Sequence, residues 1–358
     1  MMRNLFFGFM AASMAFPAMA ADFNKPIEQA ITGYIRPATA EFAESASKLP
    51  AAVKAICAET TEATVEGLKS SFSETVRDYS RVHFLRFGPL LENDRLNRLS
   101  FLPDPRGTAQ RQIRKIYAAH DESVLSLGSL QNKSVAVQSM TAFELIAFNK
   151  STDVVLGEAG DNKDYTCGYA LAIAENVAEI AGNLASDWAD PNGFSKVLLS
   201  AGPENERFRS PTEALEAVFN SLVTGIIIAK DQDVLPALGS SEEKAKPRRF
   251  PYSRSGNSIL YVSAELDGIN DAVASMELKE YMSPDNQWIM DTLGFEFKNA
   301  NNYLAQLQPP LRKTFGEEGS YNQAKALVVN LTAIQDMMGQ EVAGALGLAG
   351  GFNALDGD

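Results

Sequence analysis

Apolar residues recur along this chain with the period of a helix and almost nowhere with that of a strand. Ile173, Val177, Ile180, Leu184 and Trp188 fall at steps of four, three, four and four, and Leu327, Leu331, Ile334, Met338 and Val342 form a second stripe. That spacing lines one face of an α-helix. The same pattern predicts helices over 26–47, 61–87, 107–118, 133–148, 211–235, 257–272 and 285–306. Between them, "FGPLLENDRLNRLSFLPDPRG", "GEAGDNKDYTCG", "LGSSEEKAKPRRFPYSRSGN" and "LQPPLRKTFGEEGS" carry the Gly, Pro and polar clusters of loops, several of them long for a helix connection. The expected fold is all-α, two packed helical bundles, with a boundary near Asp161. This divides the chain into a leader over 1–20, an N-terminal bundle over 21–160, and a C-terminal bundle with its tail over 161–358.

The first twenty residues change the picture of where the protein works. Arg3 precedes a short apolar run that ends in Ala18-Met19-Ala20, the small-residue pattern of a secretory cleavage site. A mature start near Ala21, with no Cys there to carry a lipid, predicts an exported, periplasmic protein. The run "LVTGIIIA" from Leu222 to Ala229 is the longest apolar stretch after the leader, too short to span a bilayer. The net charge of −13 excludes the cationic surface that nucleic-acid binding needs. Cys57 and Cys167 are the two cysteines. An oxidising compartment favours their pairing if the fold brings them together, and two buried thiols are the other reading.

Three features could carry chemistry. The stripe Leu68, Phe72, Val76, Tyr79 continues onto His83 and then Arg86, which aims His83 inward where the apolar face turns polar. His120, the chain's second histidine, sits at an expected helix end, where the dipole favours it. From Arg81 to Lys115, eight bases face three acids, a local reversal of sign in an acidic protein. Seven of the eight are Arg, whose fork suits carboxylate or phosphate. The segment "VAVQSMTAFELIAF", Val135 to Phe148, reads as one helix holding a single ionisable side chain, Glu144, with Thr141 beside it. A carboxylate rarely enters such surroundings unless paired or bound. An ion pair with Arg86 or another inward Arg is the structural reading, and a ligand site the functional one.

Motifs of established chemistry are absent. There is no H-E-x-x-H, G-x-S-x-G, G-x-x-x-x-G-K or C-x-x-C. Two histidines suffice only for an acid-rich site suited to hard cations.

These residues resemble the imelysin family of exported helical proteins, named after an insulin-cleaving peptidase and related to bacterial iron acquisition. The likeness rests on "HFLRFGPLLENDRLNRLSFLPDPRG" from His83, "CGYALAIAENVAEIAGNLASDW" from Cys167, "YSRSGNSILYVSAELDGI" from Tyr252 and the terminal "GFNALDGD". It implies two facing bundles, with the motif helix and the Arg-rich loop meeting at their interface. The family's G-x-H-x-x-E falls on Ser139 to Glu144, so Glu144 keeps the acid while Thr141 stands in the place of His and Ser139 in that of Gly. A Thr hydroxyl replaces imidazole neither as a ligand nor as a base near neutral pH.

The candidate ligand-binding set is His83, Arg86, Glu92, Arg95, Asp104, Arg106, Thr141, Glu144 and Arg254. Glu144 and His83 are the pair that would hold a metal, iron or zinc by resemblance, and Glu144 is the candidate for any catalytic role. Asp356 and Asp358 end a tail that Phe352 would anchor against the interface. The leading expectation is a non-catalytic periplasmic binding or accessory protein, linked to iron or other metal uptake, with an unidentified ligand or a periplasmic or outer-membrane partner. A metal-dependent peptidase using Glu144 and His83, and a structural or interaction protein with no small ligand, are the alternatives.

Overall fold

A computed structural model describes residues 22–307 and 319–349, together with Leu311 and Phe315. The expected leader, and the tail with Phe352, Asp356 and Asp358, lie outside the described residues.

The chain opens as one continuous helical rod, α1: Asn24–Gln29, a π-helical turn Ala30–Ile35, then Arg36–Ala58. The expected end at 47 is overrun. Pro50 sits inside the rod, where it forfeits one backbone bond, but Leu49, Val53 and Ile56 are buried on its inner side. Packing of that face outweighs the local penalty. Glu62–Ser80 forms α2, started by a capping box in which Thr61 and Thr64 bond each other's backbone. The "FGPLL" loop holds a 3₁₀ stretch, Gly88–Asp94, and a short helix α3, Arg95–Leu99; Thr108–Ala119 is α4.

The motif segment is not one helix. It is a 3₁₀ turn Val135–Val137, a break, and then α5, Met140–Ala147. Ser139 at the break is extended (φ −101°, ψ 169°), and Asn176 fixes it by donating to the Gln138 carbonyl at 3.0 Å.

Lys163–Ala189 forms α6, and Pro211–Ile228 opens α7, which runs through a π turn Ala229–Val234 into Leu235–Leu238. Pro236 comes two residues after the π turn ends at Val234; widening the helix there relieves the clash of its ring with the preceding turn. By length and composition α7 could cross a membrane, but 72% of its apolar window is buried inside the molecule, as in the core helix of a bundle. The remaining long helices are α8, Ser258–Ser275, α9, Trp288–Ala305, and α10, Ser320–Asp336, which continues as a π turn into Ala343–Leu346. No strand occurs among the described residues, only an isolated bridge between Phe148 and Val154. The all-α expectation holds.

Two sets of helices share one core. α1 packs along α6 and α2, with α5 against α6; α7, α8, α9 and α10 pack on one another, and α2 meets α8 between the sets. Cys57 and Cys167 form a disulfide that ties α1 to α6 across 110 residues, a loop for which chain entropy allows roughly 4–5 kcal/mol. Because α6 belongs with α1, a cut at 160/161 would sever the most extensive helix packing in the fold. We propose that the two bundles part after Ala189.

Candidate functional site

The stripe on α2 does not continue as a helix to His83. The helix ends at Ser80, and the chain winds through tight turns: the His83 amide donates to the Tyr79 carbonyl at 2.9 Å, Leu85 to Val82 at 3.0 Å and Arg86 to Phe84 at 2.7 Å. These turns sit where α2 meets α7 and α8, and two glycines let them in. A Cβ on Gly225 of α7 would lie 2.8 Å from Phe84, and one on Gly268 of α8 would lie 3.0 Å from both the Phe84 ring and the Arg81 backbone. Phe84 therefore wedges between the two helices. Its neighbour His83 is left facing α8.

What His83 meets there was not singled out from the sequence. Its Nε2 lies 3.0 Å from Oε1 of Glu265 on α8, and the two side chains are 2% and 0% exposed. Asp233, rotated inward on the π turn of α7, is 5% exposed and lies close enough to act electrostatically on both. Tyr79 and Tyr261 flank the imidazole, their rings 5.6 and 5.3 Å from it. His83, Asp233, Tyr79 and Tyr261, with Glu265 behind them, border a largely enclosed cavity of about 50 Å³, completed by Arg86, Leu96, Asn97, Ser100, Leu102, Ile228 and Gln232.

Around it, polar atoms go unsatisfied. Nε2 of His83 and Nε of Arg86 are sealed from solvent without a hydrogen-bond partner, while the buried carboxyls of Asp233 and Glu265 have only each other as partner. The 3.0 Å contact between His83 and Glu265 lacks hydrogen-bond geometry. It is also no ion pair. Burial drives the imidazole down to about 3, with Arg86 adding to the shift, and drives Glu265 up to about 8. Burial and the neighbouring Glu265 together hold Asp233 well above the carboxylate range. At neutral pH Glu265 carries its proton and His83 is uncharged.

The motif helix holds a second polar cluster, and here everything described is bonded. Glu144, 7% exposed, accepts from the Ser255 amide at 2.7 Å and the Ser255 hydroxyl at 2.8 Å. Ser255 lies in the loop Tyr252–Asn257, which Gly256 (φ 81°) and Tyr252 (φ 48°) fold tightly. Asn257 braces the same loop through Ser255 and Ser73. Thr141 accepts from the Phe101 amide at 3.0 Å and shares a bond with Ser139. Because Ser100 is bonded to Tyr252 at 2.8 Å, the two clusters meet at one wall: α5 holds Phe101 directly and Ser100 through the loop.

The candidate residues thus divide. His83 and Arg86 line the cavity. Thr141, Glu144 and Arg254 belong to the α5 cluster, Arg254 donating to the Phe148 carbonyl at 3.3 Å. Arg95 is buried and reaches Asp187 at 2.6 Å, tying the "FGPLL" loop to α6. Asp104 caps α4, accepting from the amides of Thr108 and Ala109. Glu92 and Arg106 are exposed, and His120 stacks on Tyr165. Glu265 and Asp233 are the additions. The rule that pointed to Glu144, an acid among apolar neighbours, reaches Glu265 only in part: Val262, Leu266 and Ile269 surround it, but Asp267 and Asp271 follow on the same helix.

A resident iron or zinc ion does not fit this arrangement. His83 and Glu265 offer two ligand atoms close together, but among the described residues no three His, Cys, Asp or Glu side chains are placed to hold a metal. The Arg86 guanidinium lines the same space. Glu144 and His83, the expected metal pair, are engaged with different partners, Ser255 and Glu265.

Comparison with known proteins places the chain. A family model described as Imelysin matches residues 30–338. The chain is similar in structure to an imelysin-like protein from Psychrobacter arcticum, with a TM-score of 0.76 and 18% identity over 93% of this chain and 98% of that one. It is also similar to a protein from Parabacteroides distasonis described as an iron-regulated protein A precursor, with a TM-score of 0.66 and 13% identity over 91% of this chain and 96% of that one. No curated protein sequence matches it.

Proposed function

Given that this chain belongs to the imelysin family, we propose that it is an exported, periplasmic binding protein that takes a small polar ligand in the cavity between α2, α7 and α8, and that it does not hydrolyse peptides. One observation supports this reading: sealed, unpaired atoms of His83 and Arg86 gather with the buried Asp233 carboxyl at one cavity. Leaving such atoms without partners costs about 1–3 kcal/mol each, and a ligand that bonds them recovers that cost. Hydrolysis has less support. The cavity is too small for a peptide, and the family's His is Thr141, bonded to Phe101. The link to iron uptake draws on the name of the Parabacteroides protein. Because no resident metal fits, we place that link in the partner this protein serves.

The reading is tested on mature protein purified from the periplasm without chelators, by native and denaturing mass spectrometry beside elemental analysis. A small mass that co-purifies, leaves on unfolding, and is lost from a folded Asp233→Asn variant is the expected result. Ligand-free protein that cleaves casein, with cleavage abolished in Glu144→Gln, would establish a peptidase instead.

A further inference from the structure

Three of the six large apolar side chains left exposed among the described residues stand on one helix pair. Trp288 and Phe295 of α9 are 55% and 59% exposed, and Val329 of α10 is 71% exposed. Glu296 of α9 accepts a hydrogen bond from the Asn330 side chain of α10, which marks the seam between the two helices. At about 100° per residue, Trp288 and Phe295 stand roughly a quarter turn from Glu296, away from the buried Ile289, Leu293 and Phe297. Val329 stands roughly a quarter turn from Asn330, opposite the buried Leu327, Leu331 and Ile334. All three therefore share the outer face of the pair. Contiguous apolar surface of this kind marks an interaction site more often than idle exposure.

Charge borders this apolar centre, and its arrangement identifies the occupant. Asp291 and Lys298 are exposed on α9, seven residues apart, and Lys325 and Asp336 are exposed on α10, eleven apart. Both pairs lie on the outer margins, about 120° or more around their helices from the seam residues. On each helix an acid and a base thus flank a midpoint, beside Phe295 on α9 and beside Asn330 on α10. The bond between Glu296 and Asn330 sets the two midpoints level to within about 2 Å, since one residue rises about 1.5 Å. A two-fold axis through both midpoints lays α9 antiparallel on α9 of another copy, and α10 on α10. It sets Phe295 against Phe295, Asp291 against Lys298 and Lys325 against Asp336, each charge pair occurring twice. Among the described residues Lys298, Lys325 and Asp336 take part in no ion pair. Asp291 meets Lys279 at 2.7 Å, but its side chain is 69% exposed and open to a second base.

We infer that this face is an interface between two copies of this chain, an isologous dimer in which α9 and α10 of each copy pack as a four-helix bundle. A partner of one sign would match half of the charged margin, whereas a second copy matches all four charges. An apolar centre inside a polar margin is the anatomy of a specific interface, and Trp288 supplies the large aromatic that anchors one. None of these residues lines the cavity between α2, α7 and α8, so the dimer and the binding reading stand or fall separately.

The experiment is sedimentation velocity on the full mature protein, from about 1 to about 100 μM, for wild type, Phe295→Asp, Lys298→Asp and the double variant Asp291→Lys with Lys298→Asp. The expected outcome is a wild-type dimer and a Phe295→Asp monomer with unchanged helical circular dichroism. Lys298→Asp, which sets acid against acid twice, should weaken the dimer about tenfold or more, and the double variant should return to within about threefold of wild type. If Phe295→Asp does not fold, Val329→Asp takes its place. A wild type that stays monomeric at the highest concentration overturns the inference and leaves the face to a different partner. A dimer that Phe295→Asp leaves intact forms on another surface and overturns it too. Weakening by Lys298→Asp without recovery in the double variant overturns the two-fold pairing.

Discussion

Glu144 and Glu265 are each a carboxylate set into a largely apolar helix, 7% and 0% exposed, and the fold treats them in opposite ways. Glu144 is surrounded by donors. The Ser255 amide and hydroxyl both point at one of its oxygens, and the loop that presents them is braced by Asn257 and Ser73. Glu265 faces His83 and Asp233, and its one hydrogen-bond partner is the second buried acid. A buried acid stabilises a fold when its acceptors are filled and costs stability when they are not. The first is therefore a clamp and the second half of a buried acid pair that has no other donor. Asp233 joins the second group, and His83, with Nε2 unpaired, joins it too. In one part of the molecule buried polar groups hold a loop in place; in the other they face one another beside a cavity.

The largest test of the contrast is pH. Glu265 and Asp233 have values raised in the folded state, so the folded protein binds more protons than the unfolded chain above the ordinary carboxylate range, and stability falls as pH rises. His83, depressed to about 3, acts oppositely, adding stability as pH rises to its unfolded value near 6.5. Below about 6.5 the histidine thus offsets one of the two acids; above it both act unopposed, up to about 8 for Glu265. Each group contributes at most about 1.4 kcal/mol per pH unit. Urea melts between pH 5 and 8 should lose stability with rising pH, most steeply above 6.5, and Glu265→Gln should flatten the curve. A flat wild-type profile would mean that the cluster is ionised and paired after all.

Next in size is Glu144→Ala. It strands the Ser255 amide and hydroxyl together, and hydrogen bonds to a charged group contribute about 1.5–3 kcal/mol each, so a loss of about 3 kcal/mol is expected in the denaturant midpoint at unchanged slope. Glu265→Gln should go the other way at pH 8. A neutral isostere escapes the desolvation cost that the buried carboxyl carries, for a gain of about 1 kcal/mol. The two variants together break the comparison if they shift stability in the same direction.

The sequence showed one side of this contrast and hid the other for physical reasons. Helical stripes, the all-α class and the two cysteines were legible because burial writes a period into the chain and oxidation pairs what the fold brings together. Glu144 stood out because its whole segment is apolar. Glu265 did not, because Asp267 and Asp271 follow it on α8 and make the helix look ordinarily amphipathic. Asp233 was invisible for a sharper reason. In "IIIAKDQDV" it reads as the polar end of a helix, and only the π turn at Ala229–Val234 shifts the register that carries it inward. The break at Gln138–Ser139 depends on Asn176, thirty-eight residues away, and a local pattern holds no trace of it. Nor could spacing along α2 show that His83 arrives by a turn, since that depends on glycines in α7 and α8.

Thr141→Val is the smallest effect and the finest probe of how the two clusters join. Valine keeps the volume of threonine and removes the hydroxyl that accepts from the Phe101 amide at 3.0 Å. One neutral hydrogen bond lost, with a half-buried amide left behind, amounts to about 1 kcal/mol. Thr141→Ser keeps the oxygen and should cost less. The informative reading is at the cavity. Phe101 follows Ser100, which lines it, so if α5 positions that wall, Thr141→Val should also lower the share of protein that keeps its co-purifying ligand, by less than Asp233→Asn does. Should stability fall by the full amount while binding stays as it was, the Tyr252 hydroxyl holds Ser100 unaided, and the motif helix is a clamp on its own loop with no share in the site.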